Sequence, residues 1–119
     1  DSIVRGTTSA RIVKLLREAG AKEVHFRVSA PPFLNPCYYG TDIDSREHLI
    51  ACNHTIKEIE KIINVDSLGY LDVDHLPMLI GTKCGSGYCS ACFDAKYPTE
   101  IPVEMQKDRF EKKLSETKE

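Results

Sequence analysis

Hydrophobic residues in the first thirty positions recur first with a helical period and then with a strand period. Between residues 9 and 19 they return every three or four positions, and Gly20 follows as a natural helix end. Between residues 22 and 30 they alternate with polar residues. The apolar members are Ile12, Val13, Leu15, Leu16 and Ala19 in the helix, and Val24, Phe26 and Val28 in the strand. A helix that leads into a strand is part of a βαβ unit, which predicts an α/β fold with a parallel sheet.

The remaining pattern predicts a proline loop and several short elements. The three prolines between residues 31 and 40 exclude a helix and favour an extended loop. We expect one helix to open at Ser45 and Glu47, and a second to follow a capping box at Thr55 and Glu58. A strand at residues 68–71 and a short helix at residues 73–80, with Pro77 near its start or at a kink, complete the pattern. Residues 104–119 are mostly charged and predict a terminal helix or tail.

The first eight residues, Asp-Ser-Ile-Val-Arg-Gly-Thr-Thr, are a candidate phosphate site. Gly6 lets the backbone approach an anion closely, and Thr7 and Thr8 add hydroxyl donors. The helix behind them presents free amides and the positive end of its dipole. Asp1 is placed to accept hydrogen bonds from ribose hydroxyls. The alternative interpretation is an ordinary loop with a Ser or Thr helix cap.

Composition narrows the class of protein. The 119 residues suffice for one domain, and 16 basic residues against 18 acidic ones give a net charge of -2. No basic face is implied, which argues against nucleic acid as a partner. We find no membrane-length apolar stretch and no signal peptide, and expect a fragment, because the chain opens with Asp rather than Met. Five cysteines without a secretory signature favour a reduced cytoplasmic compartment and metal ligands before disulfides.

The cysteines include one metal-binding signature. Cys89 and Cys92 form a Cys-x-x-Cys pair, which directs two thiolates at one ion or cluster. Two more ligands are needed, and Cys84 and Cys37 are the candidates in this chain. Structural zinc, a redox dithiol and an iron–sulfur cluster all satisfy the spacing. A thioredoxin-like role is disfavoured because no strand precedes the pair and no long helix follows it.

These motifs together resemble one enzyme family. Residues 1–8 resemble the second half of the phosphoribosyl pyrophosphate loop of type I phosphoribosyltransferases, whose first acidic residue and preceding strand are missing here. The chain is also similar to the amidophosphoribosyltransferases, glutamine-dependent enzymes of purine synthesis, from residue 1 to about residue 101. The segments that carry this resemblance are 1–8, 16–24, 29–32, 36–40, 89–93 and 96–101.

The resemblance implies a fold and a substrate site. The fold would be the second half of a type I phosphoribosyltransferase domain, a Rossmann-like parallel sheet, over residues 1–43. A cysteine-bearing helical region would follow over residues 44–103, and then the terminal helix or tail. Asp1 would hold the ribose and lie near the magnesium-bound pyrophosphate. The other residues implied to bind phosphoribosyl pyrophosphate are Ser2, Arg5, Gly6, Thr7 and Thr8.

The resemblance also implies a structural [4Fe–4S] cluster. In the iron–sulfur branch of the family four cysteines hold it, and Cys37, Cys89 and Cys92 match three of them. The fourth lies upstream of residue 1. Cys84 departs from the family pattern and could substitute as a ligand, whereas Cys52 matches no ligand.

The implied reaction transfers ammonia from glutamine to C1 of phosphoribosyl pyrophosphate, with loss of pyrophosphate. The resemblance implies Mg²⁺, an amino-terminal glutaminase domain absent here, a homo-oligomer, and purine nucleotides as feedback inhibitors. It assigns no catalytic nucleophile or base to this chain. Because the glutaminase domain is absent, the fragment alone would be inactive. The alternative is a small non-enzymatic zinc module in which Cys37, Cys84, Cys89 and Cys92 form a closed site.

Overall fold

The structure, a computed structural model, describes residues 2–43, 45–80 and 87–101. The predicted terminal helix or tail at residues 104–119 lies outside the described residues. In chain order the elements are α1 (Thr7–Glu18), β1 (His25–Val28), a 3₁₀ helix (Arg46–His48), α2 (Ile50–Asn53), α3 (Ile56–Ile63), β2 (Ser67–Tyr70), a second 3₁₀ helix (Val73–His75), α4 (Leu76–Ile80) and α5 (Ala91–Asp94). No helix in the described ranges is both long and apolar enough to cross a membrane.

The helix predicted at residues 9–19 is present as α1, which begins two residues earlier and ends one residue earlier. Its end is fixed by backbone bonds: the amides of Gly20 and Ala21 donate to the carbonyls of Arg17 and Leu16, each at 3.0 Å. Gly20 has a φ of 99°, the left-handed conformation that glycine adopts at this position of a helix end. The predicted stop at Gly20 is therefore confirmed.

The predicted apolar stripe of α1 is wrong in part. Val13 is fully buried, but Ile12, Leu15 and Leu16 are 45%, 57% and 44% exposed, and Ala19 is exposed as well. The helix packs on α3, and this contact covers the side that carries Val13. Ser9 and Val13, the two buried residues of α1, lie four positions apart and so share one helix face.

The parallel sheet predicted from the sequence is present and has two strands in the described residues. β1 pairs with β2 in parallel, with His25 opposite Ser67 and Val28 opposite Tyr70. β1 is four residues long, shorter than the predicted span of 22–30. The predicted alternation holds, because Val24 and Val28 are buried and Phe26 is half-buried.

One of the two predicted helix starts is present as predicted. Thr55 caps α3, accepting from the Glu58 amide, while the Glu58 carboxylate accepts from the Thr55 amide at 2.7 Å. The helix predicted to open at Ser45 is instead the 3₁₀ helix followed by α2, because Leu49 between them has an extended backbone. Pro77 is the second residue of α4, where its missing amide costs no helical bond.

Buried side chains form two clusters. The first, here called the sheet core, lies between the sheet and the helices and comprises Ile3, Val28, Ile50, Ile59, Ile63 and Leu68. The second, here called the cysteine core, comprises Phe33, Ile43 and Leu49, with Val4, Cys37, Cys52, Cys92 and Phe93 packed against it. Ile3 and Val4 are consecutive residues that enter different cores, so both cores support the segment that leads to α1.

Candidate functional site

The candidate phosphate residues line one cavity. Residues 2–9 and Asp42 enclose a volume of about 330 Å³ at the amino-terminal end of α1. Five of the six residues predicted to bind phosphoribosyl pyrophosphate lie in its lining. Asp1, the sixth, lies outside the described residues. The residues that the structure brings together are Ser2, Arg5, Gly6, Thr7 and Thr8.

Gly6 sets the geometry of the turn. Its φ of 83° is the left-handed conformation, and its carbonyl accepts the first helical bond, from the Ala10 amide at 2.9 Å. No side-chain hydrogen bond caps α1, whose N-cap residue is Gly6, so the alternative interpretation of a Ser or Thr cap does not apply. Thr7 and Thr8 are exposed and begin the helix. Their hydroxyls and the first amides of α1 are thus available to an anion in the cavity.

The strand-like segment before the turn is anchored from both sides. Ile3 is buried in the sheet core and Val4 packs on the cysteine core. The amide of Ile50 donates to the carbonyl of Val4 at 2.9 Å, which ties the segment to the start of α2. The turn is therefore supported by packed structure on both sides.

Asp42 also lines the cavity, although no sequence pattern predicts it there. It lies 34 positions after Thr8, beyond the proline loop, and no local pattern connects the two. Its carboxylate brings negative charge to a cavity otherwise suited to an anion, and a carboxylate in that place suits hydroxyl groups or a cation carried by the ligand. The only signal in the sequence is that a polar residue follows the proline loop.

The proline loop and the cysteine motif lie against each other. The amides of Leu34 and Asn35 both donate to the carbonyl of Cys92, at 2.9 and 3.0 Å. The rings of Phe33 and Phe93 stack with centroids 5.0 Å apart. These contacts carry the loop across the start of α5 and bring Cys37 to the same core as Cys92.

The three matched cysteines differ in exposure. Cys37 and Cys92 are half-buried, and Cys89 is exposed. Burial raises the pKa of the Cys92 thiol, and the nearby Cys37 and Cys89 thiols act in the same direction. A bound cation would stabilise the negative charge of the thiolate and so offset the effect of burial, which favours the neutral thiol.

The part of the chain that the structure describes shows no site for a single metal ion. Within residues 2–43, 45–80 and 87–101, no three Cys, His, Asp or Glu side chains are close enough to hold one metal ion. The cysteines of a [4Fe–4S] cluster each bind a different iron of the cube, so their sulfurs lie further apart than the ligands of one ion. Thiols are the ligands that such clusters require, and the chain offers free thiols at Cys37, Cys89 and Cys92.

The other two cysteines have separate positions. Cys52 packs on the cysteine core, and its thiol donates to the carbonyl of Leu34 at 3.2 Å. It thus supports the proline loop. Cys84, predicted as an alternative ligand, lies outside the described residues.

Comparison with known proteins identifies relatives over most of the chain. No protein family model matches it. The amidophosphoribosyltransferase of Archaeoglobus fulgidus is 52% identical over 105 residues, which are 87% of this chain and 23% of that protein. The amidophosphoribosyltransferase of Bacillus subtilis is 54% identical over 104 residues, which are 85% of this chain and 22% of that protein.

A solved structure extends the comparison to the fold. Glutamine phosphoribosylpyrophosphate amidotransferase from Bacillus subtilis, complexed with ADP and GMP, matches with a TM-score of 0.77 at 51% identity, over 87% of this chain and 23% of that chain. The predicted α/β class is confirmed, and the homology favours the enzyme interpretation over the zinc module. The chain spans less than a quarter of the length of these relatives. Over that span, the chain is homologous to the amidophosphoribosyltransferases and shares their fold.

Proposed function

We propose that the protein containing this chain transfers ammonia, released from glutamine, to C1 of phosphoribosyl pyrophosphate, giving phosphoribosylamine, pyrophosphate and glutamate. The observation that carries the proposal is the cavity at the start of α1, which is lined by the left-handed Gly6 and by Thr7 and Thr8. The relatives are named for this reaction. The ammonia-releasing site belongs to the part of the relatives that this chain does not span.

The turn would bind the 5'-phosphate. Helix α1 has twelve residues. The dipoles of its peptide units add up along the helix and give its amino-terminal end a partial positive charge. The amides of its first turn, the hydroxyls of Thr7 and Thr8, and the Arg5 guanidinium supply donors of the kind that phosphate prefers. Asp1 would accept hydrogen bonds from the ribose, and Ser2 would support the turn.

Catalysis in this site would consist of positioning and electrostatics. Loss of pyrophosphate develops positive charge at the anomeric carbon and negative charge on the leaving group. A magnesium ion on the pyrophosphate would neutralise part of that negative charge. The chain's own residues would hold the phosphate and the ribose so that C1 stays in reach of ammonia, and such fixation lowers the barrier by reducing the entropy lost on reaction.

The cysteines would hold a [4Fe–4S] cluster with a structural role. We assign Cys37, Cys89 and Cys92 as three ligands and place the fourth in the part of the protein that this chain does not span. The α5 segment and the proline loop contact each other, and the cluster would join them further. We further propose a homo-oligomer in the cytoplasm that purine nucleotides inhibit; ADP and GMP are present in the related structure from Bacillus subtilis.

The test is Thr7→Val in the natural full-length protein, with Thr99→Val as the matched control. Both residues are exposed threonines, and Thr99 lies outside the cavity. Loss of one hydrogen bond to a charged phosphate should raise the Michaelis constant for phosphoribosyl pyrophosphate by roughly tenfold or more. Thr99→Val should leave it unchanged. A Thr7→Val enzyme with an unaltered Michaelis constant would contradict the proposed phosphate site.

A further inference from the structure

Both polar groups of one peptide unit beside Cys37 are fixed. The hydroxyl of Tyr97 donates to the carbonyl of Pro36 at 2.7 Å. The amide of Cys37, on the other side of the same peptide bond, donates to the carbonyl of Ile43 at 3.2 Å. A peptide unit is planar, so two bonds on opposite edges fix its orientation. The direction in which the Cys37 side chain leaves the backbone depends on that orientation.

The Tyr97 side chain is held in place by neighbouring rings. Its ring lies against Tyr38 and Tyr39, with centroids 5.4 and 6.3 Å away. A tyrosine hydroxyl is protonated at physiological pH, so that of Tyr97 acts as a donor. The ring contacts hold the side chain in place, and the hydroxyl supplies the polar contact.

The same loop holds the sulfur itself. The amide of Tyr39 donates to the Cys37 sulfur at 3.4 Å. The Tyr39 hydroxyl is 2.8 Å from the Thr99 hydroxyl, so a second bond joins the loop to the segment that carries Tyr97. Backbone amides directed at a cysteine sulfur are among the contacts that tune iron–sulfur clusters.

We propose that Tyr97 is a positioning residue that orients Cys37 for the iron–sulfur cluster by fixing the Pro36–Cys37 peptide. This inference rests on the cluster assigned under the proposed function. Tyr97 lies 60 positions from Cys37 and five after Cys92, so it links the two cysteine segments without binding the cluster.

The test uses the natural full-length protein with Tyr97→Phe, purified without oxygen. Phenylalanine keeps the ring contacts and removes only the hydroxyl. We expect the visible absorption of the cluster to bleach about tenfold faster on exposure to air, the factor that one buried hydrogen bond supplies. The Michaelis constant for phosphoribosyl pyrophosphate, measured before bleaching, should match that of the unaltered protein.

Two matched variants define the specificity of the effect. Tyr88→Phe alters an exposed tyrosine and should bleach at the unaltered rate. Tyr39→Phe removes the Thr99 bond but leaves the Pro36 carbonyl bonded, and it too should stay near the unaltered rate. If Tyr39→Phe bleaches as fast as Tyr97→Phe, the effect belongs to the loop as a whole and the specific role of Tyr97 is overturned.

The outcomes separate this inference from the function on which it rests. An iron-containing, brown protein whose Tyr97→Phe variant bleaches faster supports the positioning role. A brown protein whose variant bleaches at the unaltered rate overturns the role of Tyr97 and leaves the cluster standing. A colourless protein without iron overturns the cluster and the role of Tyr97 together, whereas the phosphate site is still decided by Thr7→Val.

Discussion

Gly6 packs so closely on Ile50 that a β-carbon at position 6 would lie 2.7 Å from the Ile50 Cδ1 atom. The turn at Gly6 is therefore shaped by the sheet core beneath it as well as by its own sequence. Gly6→Ala would meet both this contact and the left-handed φ of 83°. We expect a loss of roughly 1–3 kcal/mol in the free energy of unfolding and weaker binding of phosphoribosyl pyrophosphate.

Gly20→Ala is the control for this change. Gly20 also has a left-handed φ, 99°, but a β-carbon there would meet nothing within 4 Å. Gly20→Ala should lower the free energy of unfolding through backbone strain alone and leave the binding of phosphoribosyl pyrophosphate unchanged. Adding Ile50→Val to Gly6→Ala removes the Cδ1 atom and should recover part of the loss. Equal losses from the two glycine variants in denaturant melts would contradict the steric contact.

A second prediction concerns pH and the carboxylate of Asp66. It accepts from the amide of Val24 at 2.7 Å and from the Arg17 guanidinium at 2.6 Å. These bonds, the amide first, hold the pKa of Asp66 below its ordinary value of 3.8. A carboxylate with a lowered pKa stabilises the fold above its unfolded pKa, and this stabilisation is lost as the pH falls through the folded pKa.

Asp66→Asn should therefore lower the melting temperature at pH 7. The difference between the two proteins should shrink as the pH is brought below about 3.8. Asp74→Asn, which changes an exposed carboxylate after β2, serves as the control. Thermal melts between pH 7 and pH 3 measure the effect. A difference that stays constant over that range would show that Asp66 does not act through its charge.

What could be predicted from the sequence was local in the chain. The capping box of Thr55 and Glu58 spans four residues, and the alternation around Phe26 spans five. Both are present in the structure, because side-chain period and capping depend on near neighbours. The turn at Gly6 was predicted for the same reason.

What could not be predicted depends on elements distant in the chain. Leu15 has the period of a core residue but is exposed, since packing on α3 covers a different side of α1. Asp42 enters the phosphate cavity from beyond the proline loop. Tyr97 contacts Pro36 across 61 positions. Periodicity reports which face of an element is apolar and does not report which neighbour will cover it.

A third prediction separates ligand cysteines from structural ones. Cys37→Ser and Cys92→Ser should each lower the iron content of the full-length protein, because serine oxygen is a poor ligand for an iron–sulfur cluster. Cys52→Ser should keep the iron, since the thiol of Cys52 only donates to a loop carbonyl. Iron, sulfide and zinc analysis after anaerobic purification measures this. One zinc and no iron, lost equally in Cys84→Ser and Cys89→Ser, would instead indicate a four-cysteine zinc site.

A fourth prediction concerns the stacked rings of Phe33 and Phe93, whose centroids are 5.0 Å apart. They join the proline loop to the cysteine motif, so a double-mutant cycle of Phe33→Leu and Phe93→Leu should show a coupling of about 0.5–1.5 kcal/mol in unfolding. As a control, a double-mutant cycle of Phe33→Leu and Tyr88→Leu, which changes an exposed tyrosine, should show no coupling. The cycle is then repeated after the metal is removed. A coupling that persists would show that the two rings hold the proline loop and the cysteine motif together without the metal. A coupling that vanishes with the metal would mean that the cluster alone holds them together.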